Sequence, residues 1–146
     1  MERVFLGLGS NLGDREENLR AALNRISGLQ GTAVVRVSRF LETEPWGVED
    51  QPPFLNAAAE IRTLLEPEAL LSGLKEIERQ GGRLPTYPWG PRVIDVDLLL
   101  YGKRTRRGDR LTLPHPHILD RPFVLEPLEE IAPEVVEELR RAAVPL

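Results

Sequence analysis

The sequence predicts an α+β fold, with a βαββαβ core in which helices pack on a mainly antiparallel sheet, followed by a C-terminal helical extension. Three observations predict it. Apolar, β-branched or alternating stretches recur near residues 4–9, 32–41, 54–62 and 93–101, bounded by glycines, prolines or polar turns. Two amphipathic stretches with helix-start signals, 14–27 and 67–80, separate the first strand from the second and the third from the fourth. Beyond the fourth strand, prolines punctuate short helical segments. The order strand, helix, strand, strand, helix, strand is the ferredoxin-like pattern.

Residues 4–9 read as a short buried strand, and Ser10 to Asp14 as the loop into the first helix. Asp14 can cap that helix, Glu17 stands where a capping box requires it, and Leu19, Leu23 and Ile26 share one face. Gly7, Gly9 and Gly13 resemble a dinucleotide-binding turn but have one residue too many before the last glycine, so a tight turn with close helix packing is the better reading. Residues 32–41 form a strand with one wetter face. The stretch 42–53 then breaks all periodicity, and Pro45, Gly47, Pro52 and Pro53 make it a stiff loop on which Trp46 is either a lid against the core or a ligand contact.

In the third strand, 54–62, Phe54, Asn56 and Ala58 lie on one face. Asn56 is the odd member, because an amide there must find partners in backbone groups or in the donor–acceptor edge of a flat heterocycle. Pro67 opens the second helix, whose buried stripe is Leu70, Leu71, Leu74 and Ile77; Lys75, Glu76, Glu78 and Arg79 are expected outside, and Gly81-Gly82 ends it. After Tyr101, residues 102–109 read as a basic turn whose Arg104, Arg106 and Arg107 form a solvated surface. Leu111 to Leu113 read as a short strand and Arg121 to Val124 as loop. Pro127 and Pro133 each start a short helix, the last with Val135, Val136 and Leu139 on its apolar side.

A chain of 146 residues with no linker-like segment is read as one domain, 1–146. Its net charge of −4 supplies no cationic field for nucleic acid or an anionic membrane, so neither is expected as a partner. There is no cysteine, hence no disulfide or thiol zinc site. With no signal-peptide pattern at its start and no apolar run of membrane length, the chain is expected in the cytoplasm.

The chemistry concentrates between Trp89 and Tyr101. Strand alternation puts Asp95 and Asp97 on one face and Ile94, Val96, Leu98 and Leu100 on the other. Two carboxylates ~7 Å apart on an apolar strand repel each other and lose hydration, which a bound divalent cation relieves. The alternative is a strand end whose acids are solvated or paired with arginine. Arg92, set by a Gly-Pro turn beside the pair, favours a polyphosphate site. His115 and His117 lack a third zinc ligand, and either can meet a phosphate.

Taken in order, Gly9-Ser10-Asn11, Phe54-Leu55-Asn56-Ala57-Ala58, Trp89-Gly90-Pro91-Arg92-x-x-Asp95-Val96-Asp97-Leu98 and Pro114-His115 resemble the 6-hydroxymethyl-7,8-dihydropterin pyrophosphokinases of folate biosynthesis over almost the whole chain. The resemblance implies transfer of pyrophosphate from ATP to the pterin's hydroxymethyl oxygen, with AMP leaving and two Mg²⁺ engaged. It implies Asp95 and Asp97 as ligands of both ions, and Arg83, Arg92, Asp95 and Asp97 as the catalytic set. Glu78, Trp89, Leu98 and His115 are implied around ATP. Thr43, Trp46, Phe54, Asn56, Asp95 and Phe123 are implied around the pterin, the two phenylalanines stacking on its ring. The sequence departs from the family at Pro88, where a basic residue usually precedes Trp89. The expected partners are these small molecules alone, bound by a monomer. Two other readings stand beside this one: a different Mg²⁺-dependent phospho- or nucleotidyltransferase, and a non-catalytic ferredoxin-like binding module, against which the Asp pair beside Arg92 argues.

Overall fold

The computed structural model describes residues 2–43, 52–82 and 93–143. Strands β1 (Val4–Ser10), β2 (Thr32–Val37), β3 (Leu41–Thr43), β4 (Phe54–Thr63) and β5 (Asp95–Tyr101) form an antiparallel sheet in the order β2-β4-β1-β5, with β3 also on β4. Helix α1 (Arg15–Ser27) carries the chain from β1 past β4 to β2, and α2 (Pro67–Gln80) carries it from β4 past β1 to β5. This is the split βαβ arrangement of a ferredoxin-like α+β fold. A small hairpin of β6 (Arg106–Arg107) and β7 (Thr112–Leu113) follows, then α3 (Pro122–Ile131) and α4 (Pro133–Ala143). Among the described residues no helix is long and apolar enough to cross a membrane.

The cap of α1 forms as its sequence dictates, with the Asp14 carboxylate accepting the Glu17 N–H at 3.1 Å. Leu19, Ala22 and Ile26 of α1 and Leu70, Leu74 and Ile77 of α2 bury against Leu6, Leu8, Ala59, Ile61, Val96 and Leu98. A second core covers the opposite face, where Phe5, Ala58, Leu99 and Leu100 meet Val124, Leu128, Ile131 and Val136. The C-terminal helices therefore back the sheet from the other side. Their apolar cover ends at Ala58 and Leu99, and the same face continues with Gly9, Asn56, Asp95 and Asp97.

Several local expectations change. The strand expected over 32–41 divides, because the β2–β4 register shifts between Val34 and Arg36 and the Ser38 hydroxyl takes the Ala58 N–H at 2.9 Å. Leu41 to Thr43, partly assigned to the aperiodic loop, instead forms β3 against Phe54 to Asn56. The β1–β5 register also shifts, pairing Phe5 with Leu100 and Leu6 with Leu98, so Leu99 is the extra residue of a bulge. Leu99 and Leu100 consequently face the second core together, which corrects the expectation that Leu100 shares a face with Leu98. Helix α3 starts at Pro122 and not at Pro127, which lies inside it and is buried. Packing of Val124, Leu128 and Ile131 sustains the helix through the hydrogen bond that Pro127 cannot donate. Part of the basic turn is strand β6, and Arg104 and Arg106 are held by Glu2, Glu66 and Glu68 at the surface.

Candidate active site

Pairing across the three central strands sets Asn56, Gly9 and Asp95 in one row and Ala58, Gly7 and Asp97 in the next. Directly opposed residues of an antiparallel pair point the same way, so all six lie on the face that the second core leaves partly uncovered. Gly7 and Gly9 are thus strand residues on the side away from α1 and α2. They serve neither a turn nor helix packing, as their spacing had suggested.

Asp95 and Asp97 are partly buried, and their strand's other face is fully apolar. Burial, and next the Asp95 charge, push the Asp97 carboxyl up to about 7. Lys75 and Arg121 pull the other way without cancelling this. Glu78, expected outside, is buried at 1% exposure and accepts the Val96 N–H at 2.8 Å. It follows Ile77 on the side of α2 turned toward β5, whose edge N–H groups need acceptors. Burial holds the Glu78 acid above the usual range, Asp95 adds to this, and the Val96 N–H and Lys75 (3.4 Å away) work against it. Glu78→Ala should lower the unfolding free energy by about 1–3 kcal/mol by orphaning that N–H, and Glu78→Gln by less than half as much. Urea unfolding of the two variants checks this, and equal losses would show that the hydrogen bond is not what matters.

His115 is anchored by its own N–H, which donates to the Leu99 carbonyl at 2.8 Å. Its ring Nδ1 accepts the His117 N–H at 3.1 Å, which leaves the ring proton on Nε2. Burial first, then the charges of Arg121 and His117, bring its pKa down to about 4. At neutral pH it is an uncharged donor. A cavity of about 230 Å³ opens beside β5, lined by Lys75, Asp97, Leu98, Arg110, Thr112 and His115 among others.

At the other end of the row, Asn56 is 4% exposed and its Nδ2 donates to Thr43 Oγ1 at 2.6 Å. Thr43 pairs with Phe54 across β3 and β4, while Phe123 sits in the first turn of α3 against the second core. The loop after β1 holds this end in place. Asn11 Nδ2 donates to the Pro52 carbonyl at 3.0 Å, and Arg15 donates to the Pro53 carbonyl at 2.8 Å and to Glu42 at 3.0 Å.

The structure thus brings Asp95, Asp97, Glu78, Leu98 and His115 together around β5, and Thr43, Phe54 and Asn56 around β3 and β4. Trp46, Arg83, Trp89 and Arg92 lie outside the described residues. Arg110, which lines the cavity, and Arg121 were given no role by the reading of the sequence. Arg121 is buried, ends in the field of both Asp97 and His115, and stands at the N-cap of α3. Its signal was Pro122, a better helix-opening proline than Pro127.

Comparison with known proteins identifies the family. The family model for 7,8-dihydro-6-hydroxymethylpterin-pyrophosphokinase (HPPK) matches residues 5–133. A 2-amino-4-hydroxy-6-hydroxymethyldihydropteridine pyrophosphokinase of Haemophilus influenzae is 44% identical over 93% of this chain and 85% of its own length. One from Methylorubrum extorquens is 46% identical over 93% of this chain and 86% of its own. In three dimensions the chain is similar to the HPPK-DHPS of Plasmodium falciparum, with a TM-score of 0.68 at 15% identity, over 92% of this chain and 40% of that one. The chain is a member of the 7,8-dihydro-6-hydroxymethylpterin-pyrophosphokinase family, ATP-dependent enzymes of folate synthesis that transfer pyrophosphate to a hydroxymethyldihydropterin.

Proposed function

We propose that this chain moves the β,γ-pyrophosphate of ATP to the hydroxymethyl oxygen of 6-hydroxymethyl-7,8-dihydropterin, with Asp95 and Asp97 as the Mg²⁺ ligands. The observation that carries this is the row Asn56–Gly9–Asp95, which sets an amide suited to a heterocycle's edge across bare backbone from the Asp95 carboxylate, whose neighbour on that face, Asp97, lines the cavity.

The two carboxylates suit Mg²⁺, which usually takes one or two protein carboxylates and completes its shell with phosphate oxygens and water. Burial first and the Asp95 charge second raise Asp97, and a bound cation would offset both. Two Mg²⁺, when bound, would neutralise phosphate charge and polarise the bridging oxygens.

The cavity beside β5 takes the nucleotide, with Leu98, Glu78 and Trp89 near the nucleoside. Arg83 and Arg92 hold the phosphates, and the Nε2–H of His115 donates to a phosphate oxygen as a neutral group. Phe54 and Phe123 stack on the pterin, Asn56 reads its edge, and Thr43 and Trp46 complete the pocket beside Asp95. The alcohol oxygen then bonds to the β-phosphorus in line with the breaking bond to the α,β-bridging oxygen; AMP leaves and the alcohol proton is released. Positioning and charge stabilisation account for such a reaction without a strong base.

Incubation with ATP, Mg²⁺ and hydroxymethyldihydropterin should give AMP and pyrophosphorylated pterin in equal amounts, read by chromatography. ADP as product, or AMP without the pterin, would indicate a different phosphotransferase. Binding of both ligands without turnover would indicate a binding module.

A further inference from the structure

Gly9 has no local reason to be glycine. It is paired on both sides within the sheet, and its backbone is not in the left-handed region that Gly13, Gly31, Gly82 and Gly102 occupy. An alanine could adopt the same backbone conformation. The reason lies above its Cα. A methyl group there would stand 2.9 Å from Asn56 Oδ1 and 3.4 Å from Phe54 Cδ1, closer than van der Waals contact allows for the first and tight for the second. At Gly7, one row along, the same methyl would meet only Leu99, at 3.5 Å, an ordinary contact.

Both side chains over Gly9 belong to the pterin end of the site. Asn56 cannot simply swing aside, because it is buried and its Nδ2 is bonded to Thr43. The strip of bare backbone also fixes the site's span. Asn56 and Asp95 flank Gly9 from two neighbouring strands, so their Cα atoms are two interstrand spacings apart, ~10 Å. That is room for a flat fused bicycle with a one-carbon arm, and more than a single ring bridges.

We propose that Gly9 is a positioning residue for the heterocycle: its missing side chain lets Asn56 and Phe54 settle onto the strand and leaves a flat floor between the recognising amide and the reacting carboxylate end. This rests on the pterin-transfer reading above. It adds that the selectivity for a fused ring is set from β1, through Asn56, and not only by the groups that touch the ring. Nucleotide binding, on the far side of β5, is independent of it.

The test is a double-mutant cycle in kcat/KM for hydroxymethyldihydropterin, with a non-hydrolysable ATP analogue and Mg²⁺ used separately to measure nucleotide affinity. Gly9→Ala should lower kcat/KM for the pterin about 10-fold or more, through KM, and leave analogue affinity within about 2-fold. In an Asn56→Ala background the same change should cost less than about 3-fold, because the oxygen it collides with is gone. A merely structural role would give equal losses in both backgrounds, or would weaken analogue binding as much as pterin use; either result overturns the proposal, as does a Gly9→Ala enzyme within 2-fold of the wild type. If Gly9→Ala alone does not fold, restoration of the fold by Asn56→Ala supports the coupling, and failure to restore it overturns the proposal. Wild-type AMP formation dependent on the pterin is measured first, so failure of the pyrophosphokinase reading is seen apart from failure of the role given to Gly9.

Discussion

Asp97→Asn is expected to lose at least about 10³-fold in Mg²⁺-dependent AMP formation and, in the same preparation, to be more stable than the wild type when metal-free above neutral pH. The first effect follows from removing half of the proposed metal-binding pair, on the scale of losing a principal charge-stabilising group in phosphoryl transfer. The second follows from the sheet. The Asp97 pKa in the folded protein is about 7 against an ordinary 3.8, raised by burial and by Asp95, so the native state holds an extra proton between roughly pH 4 and 7. Its contribution to stability is present at low pH and is lost as pH rises through that window. Asparagine has no proton to lose. The stability gained by the variant should therefore be near zero at pH 4 and complete above pH 7, where it is on the order of 2–4 kcal/mol.

His115 works in the opposite sense over much of the same window. Its depressed pKa, about 4 against 6.5, makes the folded protein lose stability as pH falls from 6.5 toward 4. The wild-type curve alone mixes the two effects, and the difference between wild type and Asp97→Asn isolates the carboxylate. Urea unfolding in EDTA at pH 4.5 and pH 8 supplies that difference. Near-normal activity in the variant would refute the metal-ligand role, and destabilisation at pH 8 would refute the cost assigned to the buried Asp97 charge.

The second large effect is expected at Asn56. Asn56→Ala should cut kcat/KM for the pterin by about 10²–10³-fold while changing the KM for ATP by less than about 2-fold. A site built to hydrogen-bond a substrate's polar edge loses far more when the bond is removed than a hydrophobic pocket loses with a methylene, because the ligand's polar groups are then buried without partners. The amide is well prepared for this role, since burial and the 2.6 Å bond to Thr43 fix its orientation before any ligand arrives. Some loss of stability, about 1 kcal/mol, should accompany the change as the Thr43 hydroxyl loses its neighbour. Isothermal titration with the pterin and with an ATP analogue separates the ligands. Similar losses for both would dissolve the proposed division between a pterin end and a nucleotide end.

What the sequence by itself determined is local. Alternation in β5 was enough to put Asp95 and Asp97 on one side of a strand, the apolar stripe of α2 was enough to orient that helix, and Asp14 with Glu17 was enough to start α1. These are relations among residues within a turn or two of each other, and backbone geometry alone enforces them. The tertiary structure decided which distant residues share the carboxylates' face. Strand register, a property of two segments at once, placed Gly9 between Asn56 and Asp95, and a single bulge turned Leu100 away from the face its parity predicted. Glu78 carries the same lesson: its helical position allowed solvent, but the outer edge of β5 offered the Val96 N–H, which the buried Glu78 carboxylate accepts. Proton affinity was the least legible quantity, because the states of Asp97 and His115 are set first by desolvation, which only the packed chain creates, and by distant charges such as Arg121 added to the near ones of Asp95 and His117.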